Sequence, residues 1–160
     1  TDVEPVSVTA DLAPAMAVAA KDADIAVMAA APADFTPSSA SQTKIKKSPD
    51  GGLELRLVQT TDVLASLVAA RTDARQILVG FAAETPGARE TLLDLGRAKL
   101  ARKGCDLLVL NEVGHNLVFG QSNSQITLLS AESVTGPITG SKDTLAHHIW
   151  DEALAQRARR

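Results

Sequence analysis

Aromatic residues and cysteine are scarce in this sequence of 160 residues. It has no tyrosine, one tryptophan and three phenylalanines, so aromatic residues make up 2% of the chain. The core must therefore be built from aliphatic residues and alanine, as in many α/β proteins. The lone cysteine, Cys105, excludes an internal disulfide and a cysteine metal cluster, so we expect it to pack as a buried apolar residue.

Strong net charge and long hydrophobic runs are also lacking. The formal net charge is -3, which argues against a general nucleic-acid binder or membrane-surface binder. No apolar stretch approaches the length of a membrane span, and no charged-then-apolar leader is present. We therefore expect a cytoplasmic protein. Hydrophobic residues make up 45% of the sequence, which is enough for one domain with a full core.

Short apolar runs alternate with amphipathic segments along the chain. Runs with the length of buried strands cover residues 24–29, 76–80 and 106–110, and a further short strand is predicted over 125–129. Helices are predicted after Thr9 or Asp11, after Thr61, from Thr85-Pro86 to Gly104 as the longest helix, and after Ser141. This alternation predicts a Rossmann-like three-layer α/β fold, with a mostly parallel sheet covered by helices on both faces.

Two segments do not fit the alternating pattern. Val3–Val8 predicts a strand weakened by Pro5, which we place at a sheet edge. Residues 44–47 and 53–58 flank the turn Asp50-Gly51-Gly52, and leucines alternate with charged residues in the second of them. A hairpin of this kind has no place in a parallel sheet, so we expect a protruding β-arm.

The stretch from residue 23 to residue 47 carries many of the polar candidates. Its buried strand is followed by the small residues Ala29–Ala31, then by Asp34 and Phe35, and then by the basic cluster Lys44–Lys47. Ligands of open α/β sheets bind outside the carboxyl ends of the strands. A carboxylate and a group of lysines at such an end suit an anionic ligand that is bound with a metal ion.

Six segments in a fixed order carry a family resemblance: MAAAPADF, KIKK, LELRLVQTTDVLASL, VGFAAET, AKLARKGCDLLVLNEV and FGQSNSQITLL. Together they resemble the phosphopantothenate–cysteine ligase family, the synthetase half of the bacterial bifunctional coenzyme A biosynthesis protein. The resemblance extends from Val3 to Trp150, and the combination of motifs at these intervals is specific. Pro32 departs from the family's usual valine, and Thr60-Thr61 replaces its frequent Asn-Pro.

The resemblance implies that residues 1–160 form one ligase domain, without the family's N-terminal glycine-rich element and without the decarboxylase half that uses FMN. The implied reaction joins 4′-phosphopantothenate and L-cysteine through an acyl-cytidylate made from CTP, with Mg²⁺ present. A homodimer that exchanges protruding strands is also implied. The sequence leaves the choice between CTP and ATP open.

The resemblance also implies residue roles. Lys44 corresponds to the lysine that binds the nucleotide phosphates and helps to form the activated intermediate, so it is the catalytic candidate. Phe81 corresponds to an aromatic residue beside the cytosine. The implied nucleotide-binding set is Ala30, Ala31, Asp34, Phe35, Lys44, Thr60, Thr61, Asp62, Val63, Phe81, Lys99 and Lys103. Asn111 is a weaker candidate for a polar contact.

Structural interpretations compete with these roles. Asp34 can form a loop turn, clustered lysines are usually solvated, and Lys99 and Lys103 lie where cations stabilise a helix C-terminus. A non-catalytic nucleotide-binding or dimerisation module of the same fold therefore stays open. A nicotinamide-dependent enzyme is disfavoured, because no GxGxxG motif follows a strand. The spacing of His115, His147 and His148 assigns no metal site.

Overall fold

The computed structural model describes residues 2–47, 51–85, 87, 90–112 and 123–160. Its elements in chain order are α1 (Thr9–Ala20), β1 (Ile25–Met28), β2 (Phe35–Pro37), β3 (Leu57–Gln59), α2 (Val63–Ala70), β4 (Ile77–Glu84), α3 (Leu92–Lys103), β5 (Leu107–Glu112), β6 (Asn123–Leu129), β7 (Val134–Ser141) and α4 (Lys142–Ala158). Within the described residues, no helix combines the length and the apolar character needed to cross a bilayer.

The main sheet has five strands in the order β1-β4-β5-β6-β7. β1 pairs in parallel with β4, and β4 pairs in parallel with β5, with Val79 opposite Leu107. β6 is antiparallel to both β5 and β7. β7 therefore points in the same direction as β1, β4 and β5, and the prediction of a mostly parallel sheet is confirmed.

Helices cover both faces of this sheet. Side chains of α1, α2 and α3 pack on one face, around Leu78, Leu108 and Leu110. Leu145, Ile149 and Ala153 of α4 pack on the other face. Ile77, Leu78 and Val79 are all 0% exposed, because successive side chains of β4 point to opposite faces and both faces are covered. The three-layer prediction is confirmed.

Capping residues determine where α3 begins and ends. Thr91 Oγ1 accepts from the Asp94 N–H at 3.2 Å, and an Asp94 carboxylate oxygen accepts from the Thr91 N–H at 3.1 Å. α3 ends at Gly104, which has φ +69°. The predicted start at Thr85-Pro86 is wrong at Thr85, because β4 continues to Glu84 and α3 begins at Leu92; Pro86 lies outside the described residues. The longest described helix is α4, with 17 residues.

The N-terminal predictions need correction. Val3–Val8 forms no strand in the structure, and Val8 is the N-cap of α1 in place of Thr9 or Asp11. A carboxylate oxygen of Asp11 accepts from the Ser7 and Val8 N–H groups at 3.4 Å, so Asp11 contributes to the helix end from inside the first turn. Pro14 lies beyond that turn, inside the helix.

The protruding arm is present, but its predicted pairing is wrong. Residues 44–47 form no strand, and β3 pairs instead with β2, with Phe35 opposite Gln59. These two strands form a sheet of their own, separate from the main sheet. Leu53 and Leu55, beyond the paired segment, are each 62% exposed. The alternating leucines predicted an exposed arm, but a period of two does not specify the partner segment or its register.

Candidate functional site

A cleft of about 710 Å³ lies where three parallel strands reach their carboxyl ends. The end of β1 and the chain that follows it form one wall, from Met28 to Pro32. Phe81 and Ala83 of β4 and Asn111 of β5 contribute to the cleft, and helices α2 and α3 supply further lining residues. This is the edge of an open α/β sheet where ligands bind.

Eleven of the twelve predicted nucleotide-binding residues line this cleft. They are Ala30, Ala31, Asp34, Phe35, Thr60, Thr61, Asp62, Val63, Phe81, Lys99 and Lys103. The twelfth, Lys44, is exposed, belongs to neither a helix nor a strand, and is not among the lining residues. Asn111, the weaker candidate, also lines the cleft. The fold therefore brings the eleven residues together from four separate segments of the sequence, and Asn111 comes from a fifth.

Thr60 attaches the end of β3 to the loop that follows β1. Its hydroxyl donates to the Ala33 carbonyl at 2.6 Å, and its N–H donates to the Asp34 carbonyl at 2.9 Å. These two hydrogen bonds fix the backbone at Asp34. The Asp34 side chain is exposed and makes no ion pair with any residue that the structure describes.

Asp62 contacts two helices through its two carboxylate oxygens. Oδ1 accepts from the Ala65 N–H at 3.1 Å and caps α2, so the predicted cap at Thr61 is wrong by one residue. Oδ2 accepts from Lys103 Nζ of α3 at 2.5 Å. Burial would raise the pKa of Asp62, but the hydrogen bonds from Lys103 and Ala65, together with the charges of Lys103 and Arg102, hold its pKa below the ordinary value.

The second lysine of the cleft is also paired with a carboxylate. Lys99 Nζ forms an ion pair with Glu84 at the end of β4, and the side chains of the two residues are 24% and 22% exposed. An anionic ligand in the cleft would therefore compete with Glu84 for Lys99 and with Asp62 for Lys103. The sequence pattern identified both lysines but neither of these pairings, because the carboxylates come from distant segments.

Arg102 also lines the cleft, and it is not among the residues predicted from the sequence. The sequence does contain a pattern that could have identified Arg102, because it follows Lys99 by three residues and therefore lies on the same helix face.

Two aromatic side chains are accessible at the cleft. Phe81 is 37% exposed and Phe35 is 54% exposed, although apolar rings of this size are usually buried in a core. The flat face of a partly exposed ring can stack on a nucleotide base. Ala30 and Ala31 are exposed beside them, and their small side chains permit a ligand to approach the backbone.

Cys105 takes the structural role that the sequence predicts. The side chain is buried, and the residue is 6% exposed. Burial, with a smaller contribution from the charge of Asp106, raises the pKa of the thiol to about 11. The thiol is therefore protonated at neutral pH and is not a nucleophile.

Comparison with known proteins assigns the chain to a family. Residues 1–156 match the family described as the DNA/pantothenate metabolism flavoprotein C-terminal domain. The chain belongs to this family. One member, the coenzyme A biosynthesis bifunctional protein CoaBC of Mycolicibacterium smegmatis, is 45% identical over 141 residues, which cover 85% of this chain and 34% of the relative. The corresponding protein of Mycobacterium bovis is 42% identical over 151 residues, covering 91% of this chain and 36% of the relative.

The chain thus spans about one third of the length of these members of the DNA/pantothenate metabolism flavoprotein family. A solved structure of a Cab2 variant in complex with phosphopantothenate-cysteine has the same fold, with a TM-score of 0.72. The two chains are 22% identical, and the similarity covers 97% of this chain and 52% of the other. The family and the fold expected from the sequence motifs are both confirmed.

Proposed function

We propose that this chain is a ligase domain that joins 4′-phosphopantothenate to L-cysteine with CTP as the activating nucleotide, in coenzyme A biosynthesis. The observation that carries the proposal is the cleft itself, which gathers eleven residues that the family resemblance associates with the nucleotide. Membership of the family supports it, as do relatives named for coenzyme A biosynthesis and a protein of the same fold in complex with phosphopantothenate-cysteine. We place the protein in the cytoplasm, as a homodimer.

The proposed reaction has two steps. A carboxylate oxygen of 4′-phosphopantothenate attacks the α-phosphorus of CTP, the bond from that phosphorus to the bridging oxygen breaks, and pyrophosphate leaves. The amine nitrogen of cysteine then attacks the acyl carbon of the acyl-cytidylate. CMP leaves with the electrons of the acyl–oxygen bond, and the new amide loses one proton to solvent.

The lining residues have distinct roles in this scheme. Phe81 offers a ring face to the cytosine, and Ala30 and Ala31 allow the base and ribose to approach the backbone. Lys99 and Lys103 contribute donors on one face of α3 once they exchange their carboxylate partners for the ligand. The cleft thus binds and orients the nucleotide, and orientation alone contributes much of the acceleration in such transfers.

The carboxylate of Asp34 would coordinate a magnesium ion that binds together with the nucleotide. Among the described residues, no group of three or more histidine, cysteine, aspartate or glutamate side chains could hold a metal by itself. Mg²⁺ is commonly held by one or two carboxylates together with substrate phosphates and water, and the accessible carboxylate of Asp34 meets that requirement. When bound, the ion would offset negative charge on the phosphates. Asp34 can alternatively accept from the ribose hydroxyls.

Lys44 is the proposed catalytic residue, although it does not line the cleft in this structure. Its ammonium would offset the charge that develops at the α-phosphate during attack by the carboxylate. This role requires the exposed segment around Lys44 to approach the nucleotide when the ligand binds, or to reach the cleft of a second subunit.

Pyrophosphate release by the full-length protein tests the proposed function. We expect release that depends on both CTP and 4′-phosphopantothenate, and formation of the cysteine amide, detected by its mass, when L-cysteine is added. The same assay with ATP in place of CTP measures the nucleotide preference. Binding of CTP by calorimetry without pyrophosphate release from either nucleotide would favour the non-catalytic nucleotide-binding module instead.

A further inference from the structure

The charged side chains of the cleft are not equally neutralised. Five of them line it: Asp34, Asp62, Lys99, Arg102 and Lys103. Lys103 is paired with Asp62, and Lys99 is paired with Glu84. Within the part of the chain that the structure describes, Arg102 makes no ion pair and no side-chain hydrogen bond, and it is exposed. It is the cation of the cleft that an incoming anion can bind without displacing a carboxylate.

The position of Arg102 on α3 places it beside both lysines. It follows Lys99 by three residues and precedes Lys103 by one, in the last turn of the helix. Its charge also lies close enough to Asp62 to lower the pKa of that carboxyl group. A cation in the last turn interacts favourably with the helix dipole whichever way its side chain points. The dipole by itself therefore does not explain why the Arg102 side chain lines the cleft.

We propose that Arg102 is a binding residue for phosphate oxygens of the nucleotide. A guanidinium group is planar, is always charged and can donate two parallel hydrogen bonds to a phosphate, which an ammonium group cannot do. The neighbouring lysines must first give up an ion pair to contact the same anion, whereas Arg102 need not. The inference rests on the proposed function only for the identity of the ligand as a nucleotide.

Calorimetry on the full-length protein tests this role, with Arg97→Gln as the matched control for Arg102→Gln. Arg97 is an exposed residue of the same helix and does not line the cleft, so both substitutions remove one positive charge from α3. We expect Arg102→Gln to weaken CTP binding about 10-fold to 100-fold, the effect of losing a hydrogen bond to a charged group. Arg97→Gln should change CTP binding less than about twofold.

Cytidine and Arg102→Lys make the test specific. Cytidine, which lacks phosphate, should bind wild type and Arg102→Gln equally, and Arg102→Lys should restore CTP affinity only in part. Equal loss of CTP binding in Arg97→Gln and Arg102→Gln would overturn the assignment, because net charge would then explain both. Loss of cytidine binding in Arg102→Gln, or unchanged CTP binding, would also overturn it.

The outcome is separable from that of the proposed function. Wild type that binds CTP without releasing pyrophosphate contradicts the ligase proposal, while the comparison of Arg102→Gln with Arg97→Gln still decides the role of Arg102. Inorganic triphosphate serves as the second probe. If wild type binds neither CTP nor inorganic triphosphate, the inference about Arg102 is wrong.

Discussion

Asp106 and Arg160 form an ion pair across 54 positions of the sequence, with a carboxylate oxygen of Asp106 2.5 Å from a guanidinium nitrogen of Arg160. The Asp106 side chain is 5% exposed, and its other carboxylate oxygen accepts from Arg71 at 2.6 Å and from the Leu78 N–H at 2.8 Å. One carboxylate therefore connects the residues after α4, the end of α2 and the backbone of β4, at the edge of the sheet opposite the cleft.

Asp106→Asn should destabilise the protein strongly. The substitution removes the carboxylate that Arg71 and Arg160 share, although both guanidinium groups still donate to the Gln76 carbonyl. Because the carboxylate is buried but the two arginines are partly exposed, we expect a cost of about 2–4 kcal/mol, somewhat below that of breaking a fully buried pair. Urea denaturation should show a lower midpoint with an unchanged slope. Asp73→Asn is the control, because Asp73 is an exposed aspartate with a longer contact to Arg75 and its loss should leave the midpoint nearly unchanged. Equal midpoints for wild type and Asp106→Asn would contradict the structural role.

The same pair predicts how stability depends on pH. Burial would raise the pKa of Asp106, but hydrogen bonds from Arg71, Leu78 and Arg160 hold its pKa below the ordinary value. Its contribution to stability is therefore complete above the ordinary carboxyl pKa and is lost as the pH falls through the lower pKa of the folded protein. The stability difference between wild type and Asp106→Asn should be constant from pH 5 to 7 and shrink below about pH 4. A difference that instead grows on acidification would contradict this.

Asp62→Asn and Asp62→Ala should separate the helix cap from the ion pair. Asparagine caps a helix about as well as aspartate, so Asp62→Asn keeps the hydrogen bond from Ala65 while it weakens the contact with Lys103. We expect Asp62→Ala to cost about 0.5–2 kcal/mol for the cap. Asp62→Asn should cost less than about 1 kcal/mol, as a partly exposed pair does. Thermal denaturation at neutral pH measures both, and equal losses would show that the ion pair matters more than the cap.

Leu55→Lys should weaken the proposed homodimer. Leu55 lies on the arm beyond the paired part of β3 and is 62% exposed, so none of the residues that the structure describes covers its apolar surface. Losing one buried leucine contact costs about 1.5–3 kcal/mol, or roughly 10-fold to 100-fold in the dimer dissociation constant. Sedimentation of full-length protein should therefore show more monomer. Glu54→Lys, the neighbouring position in the alternating pattern, is the control; an unchanged dimer in Leu55→Lys would place the interface elsewhere.

Lys44→Gln should abolish pyrophosphate release and leave the melting temperature nearly unchanged. A donor aimed at developing charge contributes about 10² to 10³ in rate, whereas an exposed lysine changes stability by less than about 0.5 kcal/mol. Lys47→Gln should be close to neutral in both assays. Normal pyrophosphate release from Lys44→Gln would show that these lysines are a solvated segment and would remove the catalytic assignment.

Much of the main sheet was predictable because each buried strand is a short run of apolar residues bounded by polar ones. Ile77–Gly80 and Leu107–Leu110 are buried on both faces, so each appears in the sequence as a short, nearly uninterrupted apolar run. β7 was missed because its residues are mostly exposed or half-buried, and its sequence contains glycine, proline and threonine in place of an apolar pattern.

Most of the residues that line the cleft could be predicted from the sequence, whereas the contacts between their side chains could not. Motifs identified residues such as Asp62 and Lys103, but no local pattern reports that two side chains 41 positions apart share a hydrogen bond. The ion pair of Glu84 and Lys99 was missed for the same reason. Pairing depends on the three-dimensional path of the chain, and for the same reason the partner of β3 was assigned wrongly.

The placement of α4 has a consequence for synthesis on the ribosome. Among the described residues, α4 is the helix that covers the sheet face formed by Ile77, Val79, Leu107 and Val109. Because translation proceeds from the N-terminus, the helices of the opposite face are made first, and this apolar face stays uncovered until residues 145–153 have left the exit tunnel. A nascent chain that pauses in β7 would therefore expose one apolar face of its sheet. We expect a chaperone to bind the nascent chain during this pause, before α4 emerges.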